Sequence, residues 1–164
     1  MSTSKASTQT AAERRAAEAE LRRLIVQFAP AHERLVGAIR RWLQKRVPTA
    51  HEVVYEYRDS FVVSYSPSGH GYEGVFGIRG SAEGVRLYLN GSKELTDPAK
   101  LLQGSGKQAR WIPVEGASTL ARPEVVRLID EAVARNRVPF APSGRGPVVI
   151  RSGAAKQRRA GRAA

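Results

Sequence analysis

The sequence predicts an α+β fold: an antiparallel sheet of about five strands, covered by two N-terminal helices and one C-terminal helix. Two observations carry that prediction. Apolar residues recur at helical spacing before Pro48 and again after Pro123, whereas between those prolines the period falls to two. The links between the alternating segments are also short, and parallel neighbours would each need a long crossover, so the order ααβββββα reads as antiparallel.

Each element has a local reason. Residues 1–10 are rich in Ser and Thr without periodicity and read as a disordered lead-in to a single domain over residues 11–138. Leu21, Leu24, Ile25 and Phe28 fall at i, i+3, i+4 and i+7 and give the first helix one apolar face, which Pro30 ends. A second helix over 31–46 turns Leu35, Ile39, Trp42 and Leu43 inward and Arg34, Arg41 and Lys45 outward, until Pro48 stops it. Val53, Tyr55 and Tyr57 then alternate with Glu52, Val54 and Glu56. Phe61, Val63 and Tyr65 continue the pattern after Arg58-Asp59-Ser60, which makes a hairpin.

Ser66 to Gly71 is a loop by composition, followed by strands over 72–78 and 85–89 and a turn at Asn90-Gly91. Asp97 as N-cap, Pro98 at the first helical position and Gly104 as a left-handed stop predict a short helix over 98–103. A fifth strand over 109–114 leads to a helix from Pro123, with Val125, Ile129, Ala132 and Val133 on its buried side and Asn136 as its stop. Pro142 to Pro147 reads as a linker, and 139–164 as a flexible basic tail in which Val148-Val149-Ile150 can dock locally.

Composition bounds the function. A chain of 164 residues supplies one ordinary core. There is no cysteine, which removes disulfides, thiol catalysis and thiolate-held metals, and no apolar run reaches membrane-spanning length. The lack of both cysteine and an apolar leader points to a cytoplasmic setting without membrane contact. The net charge of +12 suggests anionic partners. Much of it belongs to the end of the chain, where Arg145, Arg151, Lys156, Arg158, Arg159 and Arg162 stand among no acids. Lys156, Arg158, Arg159 and Arg162 are therefore the candidates for weak, nonspecific nucleic-acid binding through phosphates.

No Gly-x-Ser-x-Gly elbow or His-Glu-x-x-His helix is present, and Ser64, Ser66 and His70 read as loop formers, so no catalytic residue is assigned and the protein is expected to be non-enzymatic. Gly104-Ser105-Gly106-Lys107 lacks the upstream glycine and the following hydroxyl of a Walker loop, having Leu101 and Gln108 in those places. It reads as a helix stop plus a turn. Tyr55 and Tyr57 share a side with Val53 and are assigned to the core, although tyrosines on a sheet also line clefts or stack on bases.

Together, the two opening helices, the Glu52–Tyr57 strand, Val85-Arg86-Leu87-Tyr88-Leu89 and Leu95-x-Asp97-Pro98-x-x-Leu101-Leu102-x-Gly104-x-Gly106-Lys107-x-x-Arg110 resemble the bacterial domain of unknown function 1801, the YdhG-like family, over roughly residues 21–134. The resemblance implies a compact α+β domain, one branch of which is described as a frataxin-like iron chaperone. It requires antiparallel neighbours throughout the sheet and a helical turn at the Asp97-Pro98 corner. An iron site would need clustered carboxylates, and Glu52, Glu56, Asp59 and Glu73, with His51 or His70, are the only group that strand pairing can gather. These read as solvent-facing strand and loop residues, so neither metal nor cofactor is assigned.

Motif position and side-chain chemistry select a crevice at Glu56, Tyr88, Asp97, Lys107 and Arg110 for a small anion or a protein partner. The leading expectation is an accessory or binding module. Iron delivery and nucleic-acid binding through the tail are the alternatives.

Overall fold

Six strands form the central sheet of the computed structural model, which describes residues 9–106 and 109–151. Two long helices come first, α1 (Ala11–Phe28) and α2 (Glu33–Arg46). Strands β1 (His51–Glu56), β2 (Ser60–Ser66), β3 (Phe76–Ser81), β4 (Gly84–Asn90) and β5 (Ala109–Pro113) follow, then α3 (Ala117–Ala121), α4 (Pro123–Arg135) and β6 (Val148–Arg151). Their order across the sheet is β5-β4-β3-β2-β1-β6. β1 to β5 meander antiparallel, the β1–β2 and β3–β4 pairs through short links, so the α+β class is as expected.

The sixth strand corrects the boundary and makes the sheet mixed. Val148 to Arg151 pairs parallel with β1, so the segment assigned to a flexible tail is part of the domain through residue 151. Three contacts hold it. Pro147 offers its carbonyl to the Glu52 amide at 2.9 Å, and Gly146 donates to the Pro48 carbonyl at 2.9 Å. The Gln9 side chain then completes the outer edge, donating to the Val148 carbonyl at 2.8 Å and accepting from the Val148 amide at 3.0 Å. Gly146 must be glycine, because a Cβ there would lie 1.7 Å from the Ala50 carbonyl oxygen. The linker-like composition of 142–147 concealed a close backbone approach that seats a strand.

The Asp97-Pro98 corner is also corrected: it is a turn, and no helix spans 98–103. The Asp97 carboxylate accepts the Leu101 and Leu102 amides, each at 2.9 Å, taking the place of the backbone carbonyls a helix would use. Lys100 sits at φ 54°, which breaks helical geometry, while Gly104 is left-handed as expected, at φ 94°. Both features that the family resemblance requires are thus different here. It stays a likeness of sequence motif and carries no part of the functional argument.

Smaller differences have packing causes. Tyr72 belongs to a 3-10 turn over Gly71–Glu73, so β3 starts at Phe76, later than expected. In α2 the buried positions are Val36, Ile39 and Leu43, with Leu35 and Trp42 only partly covered.

Strand alternation sorts side chains onto two faces. Val54, Val63, Ile78, Leu87 and Ile112 form one row across the sheet, and Tyr65, Phe76 and Leu89 another. Both rows meet Leu21, Leu24, Ile39, Leu43, Val125 and Ile129 of the helices in one buried cluster. Gly80 lies on this face to admit the Phe61 ring, 2.4 Å from where a Cβ would stand. Among the described residues, no helix lies over the opposite face.

Candidate functional site

The helix-free face carries the residues at odd register with that core. Reading across β1 to β5, Val53, Ser64, Gly77, Tyr88 and Trp111 form one row, and Tyr55, Val62, Arg79, Arg86 and Pro113 the next, with Arg151 beside Tyr55 on β6. No strand position on this face is an Asp or Glu. On β4 the pattern is plain: Val85, Leu87 and Leu89 point into the core, and Arg86 and Tyr88 point out.

The β2–β3 loop folds over the β1–β2 half of this face. Gly71 lies on the Tyr55 ring, where a Cβ would be 1.8 Å from the hydroxyl oxygen, and Gly74 lies on Ser64. Arg151 fastens the loop by donating to the Gly69 carbonyl at 2.6 Å. Val53 is consequently buried although it is outside the main apolar cluster. At the loop's crest the Tyr72 ring stacks on His70, centroids 5.2 Å apart, and is 83% exposed.

The β3–β5 half stays open. Here Val62, Ser64, Gly77, Arg79, Tyr88 and Asn90 line a hollow of about 210 Å³, whose floor is low because Gly77 has no side chain. Beside it the Arg86 guanidinium lies over the Trp111 ring, 3.9 Å from its centroid, and the Tyr88 and Trp111 ring centroids are 6.5 Å apart. Glu83, at the hairpin end, touches Arg86 at 3.2 Å. Gln103 exchanges backbone hydrogen bonds with Trp111 at 2.7 and 3.1 Å and covers the free edge of β5 there. Gly104 then passes close to the indole nitrogen, at 3.0 Å from where a Cβ would stand. This is what the Leu101-Leu102-x-Gly104 segment does: it braces an aromatic plate.

The covered face handles its charge in another way. Glu52, 2% exposed, accepts from Arg40 Nε at 2.9 Å, Arg40 Nη2 at 3.1 Å, Gln44 Nε2 at 2.7 Å and the Tyr65 hydroxyl at 2.7 Å. Arg40 also forks onto Glu18 at 2.8 and 2.9 Å. Burial opposes the Arg40 charge, but its bonds to Glu18 and then Glu52 outweigh it and hold that guanidinium above its ordinary pKa. Tyr65 is pushed up by burial first and the Glu52 charge second, and Glu18 is held down chiefly by its bonds to Arg40. No buried side-chain polar atom among the described residues is left without a partner.

Of the five residues selected for a crevice, Glu56 and Tyr88 do not meet. Glu56 ends β1, paired with Arg23 at 2.9 Å, whereas Tyr88 is three strands away on the opposite face. Asp97 is occupied by its own turn, and Arg110 donates from Nε to the Gly106 carbonyl at 3.2 Å. Lys107 lies outside the described residues, as do Lys156, Arg158, Arg159 and Arg162. Of the four that are described, Tyr88 alone lines the open hollow. Of the carboxylates considered for iron, Glu52 is tied to Arg40 and Glu56 to Arg23, and no three His, Asp or Glu side chains converge among the described residues. No helix among them is long and apolar enough to cross a membrane.

Sequence reasoning missed Arg79, Arg86, Trp111 and Gly77. The signal was the polar half of the β4 alternation, Arg86-x-Tyr88-x-Asn90, which only becomes a surface once β3 and β5 are known to flank it. No family model, curated protein or solved structure matches this chain.

Proposed function

We propose that this protein is a non-catalytic module that binds single-stranded nucleic acid across the open half of its sheet. The observation that carries the proposal is a helix-free face with Trp111 and Tyr88 side by side, Arg79 and Arg86 among them, and no carboxylate at any of its strand positions. Aromatic rings on a sheet accept bases of any sequence by stacking, and arginines between them neutralise phosphates and stack as well. The hollow over Gly77 gives one base room to drop between Tyr88 and Val62, with the Ser64 hydroxyl and the Asn90 amide at its edges. A duplex has its bases stacked inside and offers no ring to Trp111, so single strands are the substrate class.

The net charge of +12 adds long-range attraction and a steep salt dependence. The test is titration with a 15-nucleotide single strand, followed by tryptophan fluorescence and by filter retention. Binding should quench the indole. Trp111→Ala should weaken affinity by about 1–3 kcal/mol, the usual worth of one stacked base. Full affinity in both Trp111→Ala and Tyr88→Ala would remove the proposal.

A further inference from the structure

At the end of the sheet away from the β1–β2 turn, on the helix side, a second cavity of about 210 Å³ opens between the first turn of α1, the C-terminal end of α2 and the 145–147 loop. We propose that it binds a small organic carboxylate, a site independent of the nucleic-acid face.

Arg14 and Arg145 stand at this cavity, and among the described residues neither has a carboxylate hydrogen-bonded to it. Arg14 is fixed in place, because its Nη1 donates to the Gly146 carbonyl at 2.9 Å, and Gly146 is itself locked against Ala50 and Pro48. Arg14 also sits in the first turn of α1, where the peptide dipoles already make the potential positive. Burial first, and the nearby Arg145 second, hold its guanidinium below the ordinary arginine pKa, against the opposite pull of Glu18 and Glu52.

The surrounding charges set the ligand's charge. The groups that act on Arg14 are the cations Arg145 and Arg40 and the carboxylates Glu18 and Glu52, and Arg40 already satisfies both carboxylates. Three guanidinium groups against two carboxylates leave one positive charge. A monoanion completes it, whereas a phosphate dianion would overshoot beside the Glu52 carboxylate. Guanidinium forks match a carboxylate's two oxygens. Gln44, Glu52 and Tyr65 make the rest of the polar wall, and the apolar side, Val47, Pro48 and Ala50, suits a short hydrocarbon attached to that carboxylate and not a bare ion.

The experiment titrates sodium butyrate into the full chain at constant ionic strength, with sodium chloride and sodium phosphate as comparisons, and follows backbone amides by NMR. Saturable shifts at Ala50 and Gly146 with butyrate alone are expected. Arg145→Gln, an exposed position whose loss leaves the fold intact, should raise the dissociation constant at least about tenfold. Arg14→Gln should do the same. Shifts that never saturate, equal affinity in Arg145→Gln, or saturation by phosphate through the same amides would each overturn the assignment. Failure here leaves the oligonucleotide titration untouched, since no residue is shared between the two sites.

Discussion

The two faces of one sheet treat arginine in opposite ways. On the covered face Arg40 is surrounded by Glu18 and Glu52, and its charge is cancelled within the fold. On the open face Arg79 stands among Tyr88, Val62 and Gly77 with no acid in its row, and Arg86 has an indole beneath it and only the hairpin-end Glu83 beside it. The same alternation of side chains delivers both. A buried charge must be neutralised internally or the fold is lost, so its partners are structural. A charge on an open face is solvated whether or not a partner arrives, and so remains available for binding.

Glu52→Ala breaks this contrast most severely. It leaves Arg40 with Glu18 alone and strips the Tyr65 hydroxyl and the Gln44 amide of their acceptor in a buried setting. Removing one member of such a pair costs about 3–5 kcal/mol, which urea unfolding at neutral pH should register. Protein that remains folded should still quench on oligonucleotide binding, because the open face is untouched. Next in size is the loss of about 1–3 kcal/mol of oligonucleotide affinity in Trp111→Ala. The two variants should separate: one loses stability and keeps affinity, the other loses affinity.

A milder perturbation of the covered face comes from alkali. The folded Tyr65 pKa lies above the unfolded value of 10.0, so folded protein binds a proton that unfolded protein has released. The stability this contributes is complete below pH 10 and is lost as pH rises from there through the raised folded value. Tyr65→Phe should flatten that alkaline limb of a stability profile read by urea titration. An unchanged limb would mean that Tyr65 is not what titrates.

How much of this was legible beforehand follows from which forces are local. Helices α1, α2 and α4, the β1–β5 meander and the left-handed Gly104 could be read because spacing and single-residue conformational preference decide them, whereas the short α3 carries no such periodicity and was not expected. The sixth strand could not, since it depends on Gly146 meeting Ala50, residues far apart in sequence. Asp97 misled for the opposite reason: its carboxylate is as good an acceptor for a turn as for a helix cap, and only the left-handed Lys100 decides between them. The open face was hidden by a sign error of one layer. Tyr55 and Tyr57 do share a side with Val53, but that side is the one the helices leave bare. Alternation says which residues travel together and not which side is covered.

Arg79 offers the gentlest test of the comparison and the cleanest. It lies mid-strand on β3, opposite Val62 and Arg86 in register, and contributes nothing to the buried cluster. Arg79→Gln should therefore shift unfolding stability by no more than about 0.5 kcal/mol, as for other surface changes. If its charge serves a phosphate, the slope of log affinity against log salt should fall by about 1, and by a similar amount for every oligonucleotide sequence. An unchanged slope would place the strand's phosphates elsewhere and leave Trp111 and Tyr88 as a stacking surface for a ligand without a charged backbone.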